Sequence, residues 1–338
     1  VLLGEDGAPF FDKTKDVAFF VFGKIWVNNH VHVLRPKNIN PKFLVYVLNA
    51  VDYLNFIDGS TRDKLTQGKM NEIPVQYPPL AEQHAIAEFL DRETARIDAL
   101  IAKYQRMIDL LDEKRLSLIG KIVTTGLNSI ADKKKTFLLG METIPSNWDI
   151  VRNGNLFIER DVRNSPELPL LNVSIHTGVS LREFSNDHIE QMASDWSIYK
   201  VARKGDIVYN KMRMWQGAVG VAPQDGLVSP DYVVASPNPN VNPYYYEFLF
   251  HTESYRNEIN RFSHGIVPDR NRLYWEQFKQ IYSLCPPIEE QNQIVDYLSR
   301  ETREIDEAKA RIGKLINRLY EYRTSIITSA VTGKVKIN

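Results

Sequence analysis

The sequence predicts an α+β protein built from two mixed α/β domains and two long helices. Three observations predict it. Residues 78–125 return at 286–333 with a constant offset of 208, the distance from Pro78 to Pro286. Both copies carry an apolar seam at heptad spacing. Each copy follows a segment of short apolar runs broken by turn residues, which reads as strands and short helices. A repeat on this scale decides the architecture before any single element does.

The repeat is close in detail. Gln83 matches Gln291, Leu90 matches Leu298, Arg92-Glu93-Thr94 matches Arg300-Glu301-Thr302, and Ile97-Asp98 matches Ile305-Asp306. The prolines at 78–79 and 286–287 suit helix starts, where a missing N–H costs nothing. Leu90, Ile97, Tyr104, Leu111 and Leu118 then recur every seven residues, with Ala87, Thr94, Ile101, Ile108, Arg115 and Ile122 between them. The second copy repeats the seam through Leu298, Ile305, Ile312, Leu319 and Ile326. Forty residues rising 1.5 Å each make a rod of roughly 60 Å, whose stripe needs a partner, and the other copy is the obvious one. Thr94, Thr302, Arg115 and Arg323 are polar seam members. They either fix register or, for the arginines, snorkel to water near frayed ends.

Ahead of the first rod, strands are expected at 17–22, 25–27, 31–34 and 73–77, and a helix over 42–53. Residues 59–69 read as a polar loop. Residues 129–144, with the run Asp132-Lys133-Lys134-Lys135, read as a solvated linker. Residues 145–285 are of ordinary domain size. They open on Ile144-Pro145-Ser146-Asn147-Trp148, with strands expected near 170–175, 198–201, 207–210, 217–221 and 232–235 and helices over 244–251 and 255–262. The first segment is about half as long as the second, and Leu2-Leu3-Gly4 reads as the tail of a strand under way, so the chain is expected to begin inside a domain.

Composition excludes several classes. Forty-two basic residues balance forty-two acidic ones, which counts against a purely electrostatic nucleic-acid binder. Cys285 is the single cysteine, so no internal disulfide or cysteine zinc site exists, and a cytoplasmic setting is expected. No apolar run is long enough to span a bilayer. No G-x-G-x-x-G or P-loop occurs. Tyr77-Pro78-Pro79-Leu80 and Cys285-Pro286-Pro287-Ile288 lack the flanking residues of an adenine methyltransferase loop. His30 and His32 have no Cys or carboxylate beside them in sequence and make a poor metal site. No residue set here is catalytic.

At this point the chain resembles the specificity (S) subunits of type I restriction-modification systems. The resemblance covers almost the whole chain. It rests on the repeated rod openings, Pro78-Pro79-Leu80 with Glu82-Gln83 and Pro286-Pro287-Ile288 with Glu290-Gln291. It rests also on Ile144-Pro145-x-x-Trp148, Lys211-Met212-Arg213-x-Trp215-Gln216-Gly217-Ala218-x-Gly220, Ser229-Pro230-Asp231-Tyr232 and His264-Gly265-Ile266. It implies two target-recognition domains, each reading half of a bipartite DNA site, and two spacer helices paired as an antiparallel coiled coil. The implied boundaries are 1–77 for the C-terminal part of the first recognition domain and 78–128 for the first spacer helix. A linker covers 129–144, the second recognition domain 145–285, and the second spacer helix and tail 286–338. Partners implied are double-stranded DNA, two methyltransferase subunits that use S-adenosylmethionine, and restriction/translocase subunits that use ATP and Mg. No cofactor is expected in this chain.

The residue chemistry suits that reading. Two similar domains on a rigid spacer meet half-sites about one helical turn apart. Lys211, Arg213 and Gln216 lie between two strands, and Arg and Gln suit guanine and adenine edges. Ser229, Asp231 and Tyr232 either present acceptors to bases or only cap a turn. His264, Arg270, Asn271 and Arg272 form a donor-rich loop, and Lys64, Gln67 and Lys69 are its counterpart in the first segment. Lys200, Arg203 and Lys204 read as turn or phosphate residues, and Trp215 as core. Two other readings remain open: a self-sufficient modification enzyme, against which the missing cofactor loop speaks, and a coiled-coil adaptor with protein-binding flanks.

Overall fold

A computed structural model describes residues 1–58, 62–128, 130–138, 141–163, 165, 167–175, 177–182, 196–265 and 271–337. The chain divides into two compact units, Val1–Leu111 with Glu307–Asn338, and Asp112–Asp306. Two long helices contribute to both: α3 (Leu80–Thr125, 46 residues) and α8 (Ile288–Val331, 44 residues).

In the first unit, β1 (Leu2–Gly4) lies between β2 (Ala18–Phe19) and β3 (Val31–Val33), antiparallel to both. Helix α1 (Pro41–Ala50) starts with Pro at its first turn and Asn40 as its cap, the Asn40 side-chain oxygen accepting from the Lys42 and Phe43 N–H groups. Phe43 and Val47 of α1 pack against Ile86, Ala87 and Leu90 of α3 and Ile327 and Ala330 of α8. The short helix α2 (Gln67–Asn71) precedes α3.

The second unit begins with the hairpin β4 (Lys133–Lys135) and β5 (Thr143–Pro145). The lysine run expected as a connector is therefore a strand, with its side chains exposed while Ile144 and Pro145 are buried. Next come β6 (Asp149–Arg152), α4 (Asn153–Leu156), β7 (Phe157–Glu159), β8 (Leu171–Ser174), β9 (Gly178–Leu181), β10 (Lys200–Ala202), β11 (Ile207–Asn210), β12 (Val219–Val221), β13 (Gly226–Val228) and β14 (Tyr232–Pro237). Helices α5 (Pro243–Phe250), α6 (Glu253–Phe262) and α7 (Trp275–Phe278) follow, and β15 (Tyr282–Cys285) pairs with β6. The main sheet has the order β12-β11-β14-β7. Phe157, Tyr209, Tyr246, Phe250 and Phe278 meet beneath it in edge-on and tilted contacts, all fully buried.

The rods carry their polar seam members in a symmetric way. Arg115 of α3 binds Asp306 of α8 within the second unit, and Arg323 of α8 binds Asp98 of α3 within the first. Arg115 and Arg323 are repeat counterparts, as are Asp98 and Asp306, so each unit holds the same antiparallel ion pair. The arginines fix register rather than fray. Thr94 and Thr302 instead donate to the carbonyls of Leu90 and Leu298 one turn back, each at 2.7 Å. Gln83 and Gln291 are buried at the rod openings. The Gln83 side-chain oxygen accepts from the Asn40 N–H and its side-chain Nε2 donates to the Pro78 carbonyl. Gln291 does the same with Asn242 and Pro286.

Two expected strands are absent. Residues 73–77 run without ladder bonds into the proline pair. Residues 25–27 are not a strand either, and Trp26 is 98% exposed. Their counterparts in the second unit, β13, pair with β10, and Leu227 there is 0% exposed. Among the described residues no strand pairs with 25–27.

One half-buried carboxyl is expected to make the second unit pH-sensitive. Glu247 of α5 reaches the close approach of β9 and β12, where a Cβ on Gly220 would lie 2.7 Å from the Val179 nitrogen and 3.0 Å from a Glu247 carboxyl oxygen. Burial raises its pKa from 4.5 to about 7, with the Val221 backbone hydrogen bond pulling the other way. A folded-state value above the unfolded one means that the folded state holds the extra proton. The stabilisation is complete below about pH 4.5 and is lost as pH rises to about 7. Glu247→Gln is expected to raise stability at pH 8 by about 2 kcal/mol and to flatten the pH dependence across that window. Urea unfolding at pH 5 and pH 8 checks this, and equal pH slopes in both proteins would refute it.

Candidate nucleic-acid interface

Strand β11 ends at Asn210, whose side-chain oxygen accepts from the Met212 N–H at 2.9 Å. The chain then turns through Met214–Gln216, and Gly217 closes the turn at φ 101°, a conformation that favours glycine. Met214 is buried, and the Trp215 indole donates to the Met212 carbonyl while its ring packs on the main core, as expected. Arg213 is exposed on this turn, and its guanidinium has no hydrogen bond or ion pair among the described residues. Gln216 lies farther round, half-buried, its N–H bonded to the Arg213 carbonyl.

Lys211 ties three loops together. Its N–H donates to the Asp231 carbonyl and its carbonyl accepts from the Leu273 N–H. Its ammonium donates to the Pro230 carbonyl at 3.1 Å, lies 3.7 Å from the Asp231 carboxylate and sits over the Tyr274 ring. With a side chain 16% exposed, Lys211 is a clamp, not the free donor that its sequence context suggests. The Ser229 hydroxyl accepts from the Asp231 N–H, and the Tyr232 N–H bonds the Ser229 carbonyl, so Ser229 caps the turn. Asp231 stays 58% exposed. Tyr232 begins β14 half-buried, and burial pushes its pKa up.

The third loop closes on an antiparallel bridge in which His264 and Arg272 exchange both backbone hydrogen bonds at 3.0 Å. Both side chains are exposed. Arg272 has the Tyr274 hydroxyl beside it, which raises its pKa, with a smaller contribution from Asp231. Asn271 donates to the Asn260 side chain at 3.2 Å. Arg270 lies outside the described residues. The fold therefore gathers Lys211, Asp231, Tyr232, His264 and Arg272, which the sequence spreads over sixty residues, at one end of the main sheet.

The first unit builds the same joint. The Glu5 N–H donates to the His30 carbonyl, the Glu5 carbonyl accepts from the Leu65 N–H, and Asp58 and Lys64 exchange two backbone bonds. Bond for bond, Glu5 stands where Lys211 does, His30 where Asp231 does, and Lys64 where Arg272 does. The Lys64 ammonium lies 3.3 Å from the Glu5 carboxylate, and the His30 ring lies 2.7 Å from Asp6. Of the expected loop residues, only Lys64 belongs to this joint. Gln67 and Lys69 lie on α2, with Gln67 exposed and Lys69 paired to Glu72 at 3.0 Å. Sequence reading missed Glu5 and Asp6 and weighed His30 only as a metal ligand, which it rejected, because their place in the joint depends on cross-strand register.

Lys200 and Arg203, read as turn or phosphate residues, are ion-paired. Lys200 is buried against Glu159 and Asp161, and Arg203 binds Asp225. Among the described residues there is no cluster of three or more His, Cys, Asp or Glu able to hold a metal, and no helix long and apolar enough to cross a membrane.

Comparison with known proteins points one way. Residues 13–107 match the family model described as the type I restriction modification DNA specificity domain. A putative type I restriction enzyme specificity subunit of Haemophilus influenzae is 25% identical over 307 residues, covering 89% of this chain and 74% of the relative. The EcoKI specificity subunit of Escherichia coli is 23% identical over 323 residues, covering 90% and 68%. Among solved structures, a chain from a study of complex assembly and conformational transition in the type I R-M system superposes with a TM-score of 0.60 at 16% identity, over 90% of this chain and 75% of that one. The HsdS subunit of Thermoanaerobacter tengcongensis gives 0.50 at 18% identity, over 87% and 70%. The structural likenesses speak for the fold alone. The repeated joint, the paired rods and the match of the first segment agree with these sequence likenesses: residues 13–107 carry a type I restriction modification DNA specificity domain, and over most of its length the chain is similar to the specificity subunits of type I restriction-modification systems.

Proposed function

We propose that each unit reads one half of a bipartite DNA site through its three-loop joint, and that the long helices dock two methyltransferase subunits. The chain is non-catalytic. Methylation uses S-adenosylmethionine bound by the methyltransferase, and cleavage uses ATP and Mg in restriction subunits that join through the complex, all in the cytoplasm. Residues 1–77 and 145–285 are the readers, and 78–128 and 286–338 the spacers, with 129–144 between. Lys64, Gln67 and Lys69 serve the first reader. Arg213, Gln216, Ser229, Asp231, Tyr232, His264, Arg270, Asn271 and Arg272 serve the second, held in place by Lys211.

The observation that carries this reading is the joint built twice from the same backbone bonds, each time with exposed polar side chains around it. A protein adaptor has no need of two such joints. Phosphate contacts position a reader and base contacts give it sequence.

The test is motif selection. The chain is co-expressed with its methyltransferase subunit, and DNA bound from a randomised duplex pool is sequenced. A split motif with a fixed gap is expected. Arg272→Ala is expected to weaken binding about tenfold without changing the motif, to reduce the salt slope by about one, and to leave the methyltransferase bound. An intact complex that selects no motif would overturn the reading in favour of the adaptor.

A further inference from the structure

The register of the two joints shows where their chemistry differs. At the end of the central strand stands Glu5 in the first unit and Lys211 in the second. At the start of the neighbouring strand stand His30 and Asp231. At the third position both units keep a cation, Lys64 and Arg272. A shared cation suits a phosphate contact, which carries no sequence information. The acidic group behaves differently, because each joint has one at these three positions and it changes place. In the first unit it is on the central strand, and in the second it is on the strand beside it.

Each carboxylate is also accompanied. The Lys64 ammonium lies 3.3 Å from Glu5, and the Lys211 ammonium 3.7 Å from Asp231. In both cases the cation comes from another loop of the joint. A lone carboxylate is repelled by DNA phosphates, and a cation within 4 Å offsets much of that repulsion. What remains is a strong acceptor with no donor of its own. In the major groove the donors available to it are the exocyclic amino groups of cytosine N4 and adenine N6. Glu5 is 25% exposed and Asp231 58%, so both are reachable from solvent. Neighbouring strands lie about 4.8 Å apart, and base pairs stack about every 3.4 Å. Moving the acceptor by one strand is enough to move it to another base pair.

We propose that Glu5 in the first unit and Asp231 in the second are the groups that read an exocyclic amino group, and that their displacement by one strand makes the two units prefer different half-sites. This inference rests on the DNA-reading function proposed above. Glu5 is then a specificity-determining residue, and Lys64 and Lys211 are the cations that let a carboxylate approach DNA.

The experiment uses the complex with the methyltransferase subunit and the randomised duplex pool. Glu5→Gln keeps the side-chain shape but adds a donor, so the preference at one base pair of the first half-motif should fall at least tenfold. The double change Glu5→Lys with His30→Asp gives the first joint the pattern of the second and should shift the selected position within that half-motif. The second half-motif should stay as it was under both changes, and Asp231→Asn should alter only that half. Thermal unfolding of Glu5→Gln, expected to match the parent, separates reading from folding. An assembled complex whose half-motifs are unchanged by all three variants overturns the inference while leaving DNA reading in place. So does a complex whose motif responds to Asp231→Asn alone. A parent chain that selects no motif overturns the DNA-reading function and this inference with it.

Discussion

Trp148→Ala is expected to destabilise the second unit by about 3–5 kcal/mol, the range for removing a large buried aromatic side chain. Trp148 is 0% exposed and meets Tyr245 edge-on at 6.4 Å. The Tyr245 hydroxyl donates to the carbonyl of Val123 in the last turns of α3 at 2.9 Å. A Cβ on Gly126, just past the end of α3, would lie 3.2 Å from the Trp148 ring. The indole therefore fills the space between the hairpin that opens the second unit, helix α5 and the end of the rod. Its Nε1 is buried without a partner, so Trp148→Phe gives up less and is expected to cost about 1–2 kcal/mol. A chain of two units need not unfold in one step, so the readout is native-state hydrogen exchange. Protection should fall across 144–298 and hold in the first unit. A loss under about 1 kcal/mol would show that the surrounding side chains close over the gap and that Trp148 is not the anchor.

The rods were legible because their signals are local. A seven-residue apolar repeat and a 208-residue offset can be counted along the chain. The partners of Arg115 and Arg323 were not legible, since nothing in one helix says which residue of the other lies opposite. The small strands of the first unit were legible only in part. Residues 25–27 look as apolar as β13, yet a strand also needs a neighbour, and hydropathy does not report one. The candidate interface shows the same limit. Lys211, Asp231 and Arg272 stood out one by one as polar residues on loops. That Lys211 is held by Pro230 and Asp231, and that Glu5 is its counterpart, follows from backbone register, which pairs residues far apart in sequence. Gln67 and Lys69 stand beside the joint and not in it for a nearby reason. Thr66 caps a helix there, its hydroxyl accepting from the Lys69 N–H, and turns the chain away from the loop.

Arg323→Glu is expected to destabilise the first unit by about 3–5 kcal/mol, the scale set by breaking a desolvated ion pair. The Arg323 guanidinium is 14% exposed and serves two carboxylates, with Asp16 held by two nitrogens at 3.3 and 3.2 Å and Asp98 by a third at 3.1 Å. Such a fork is the strongest form of a side-chain ion pair. A glutamate in its place would set three like charges together and lose the link from α8 to both α3 and the segment leading into β2. The repeat counterpart is an internal control. Arg115 is 34% exposed and its partner Asp306 is 54% exposed, so water takes up much of what is lost. Arg115→Glu is expected to cost about 1 kcal/mol. Chemical unfolding of the full chain, with exchange protection read at each rod end, distinguishes the two. Salt should soften the Arg115 effect more than that of Arg323, because exposed pairs are screened and half-buried ones much less. Equal losses at the two sites would mean that the Asp16 contact adds nothing, and that register depends on the Asp98 and Asp306 pairs alone.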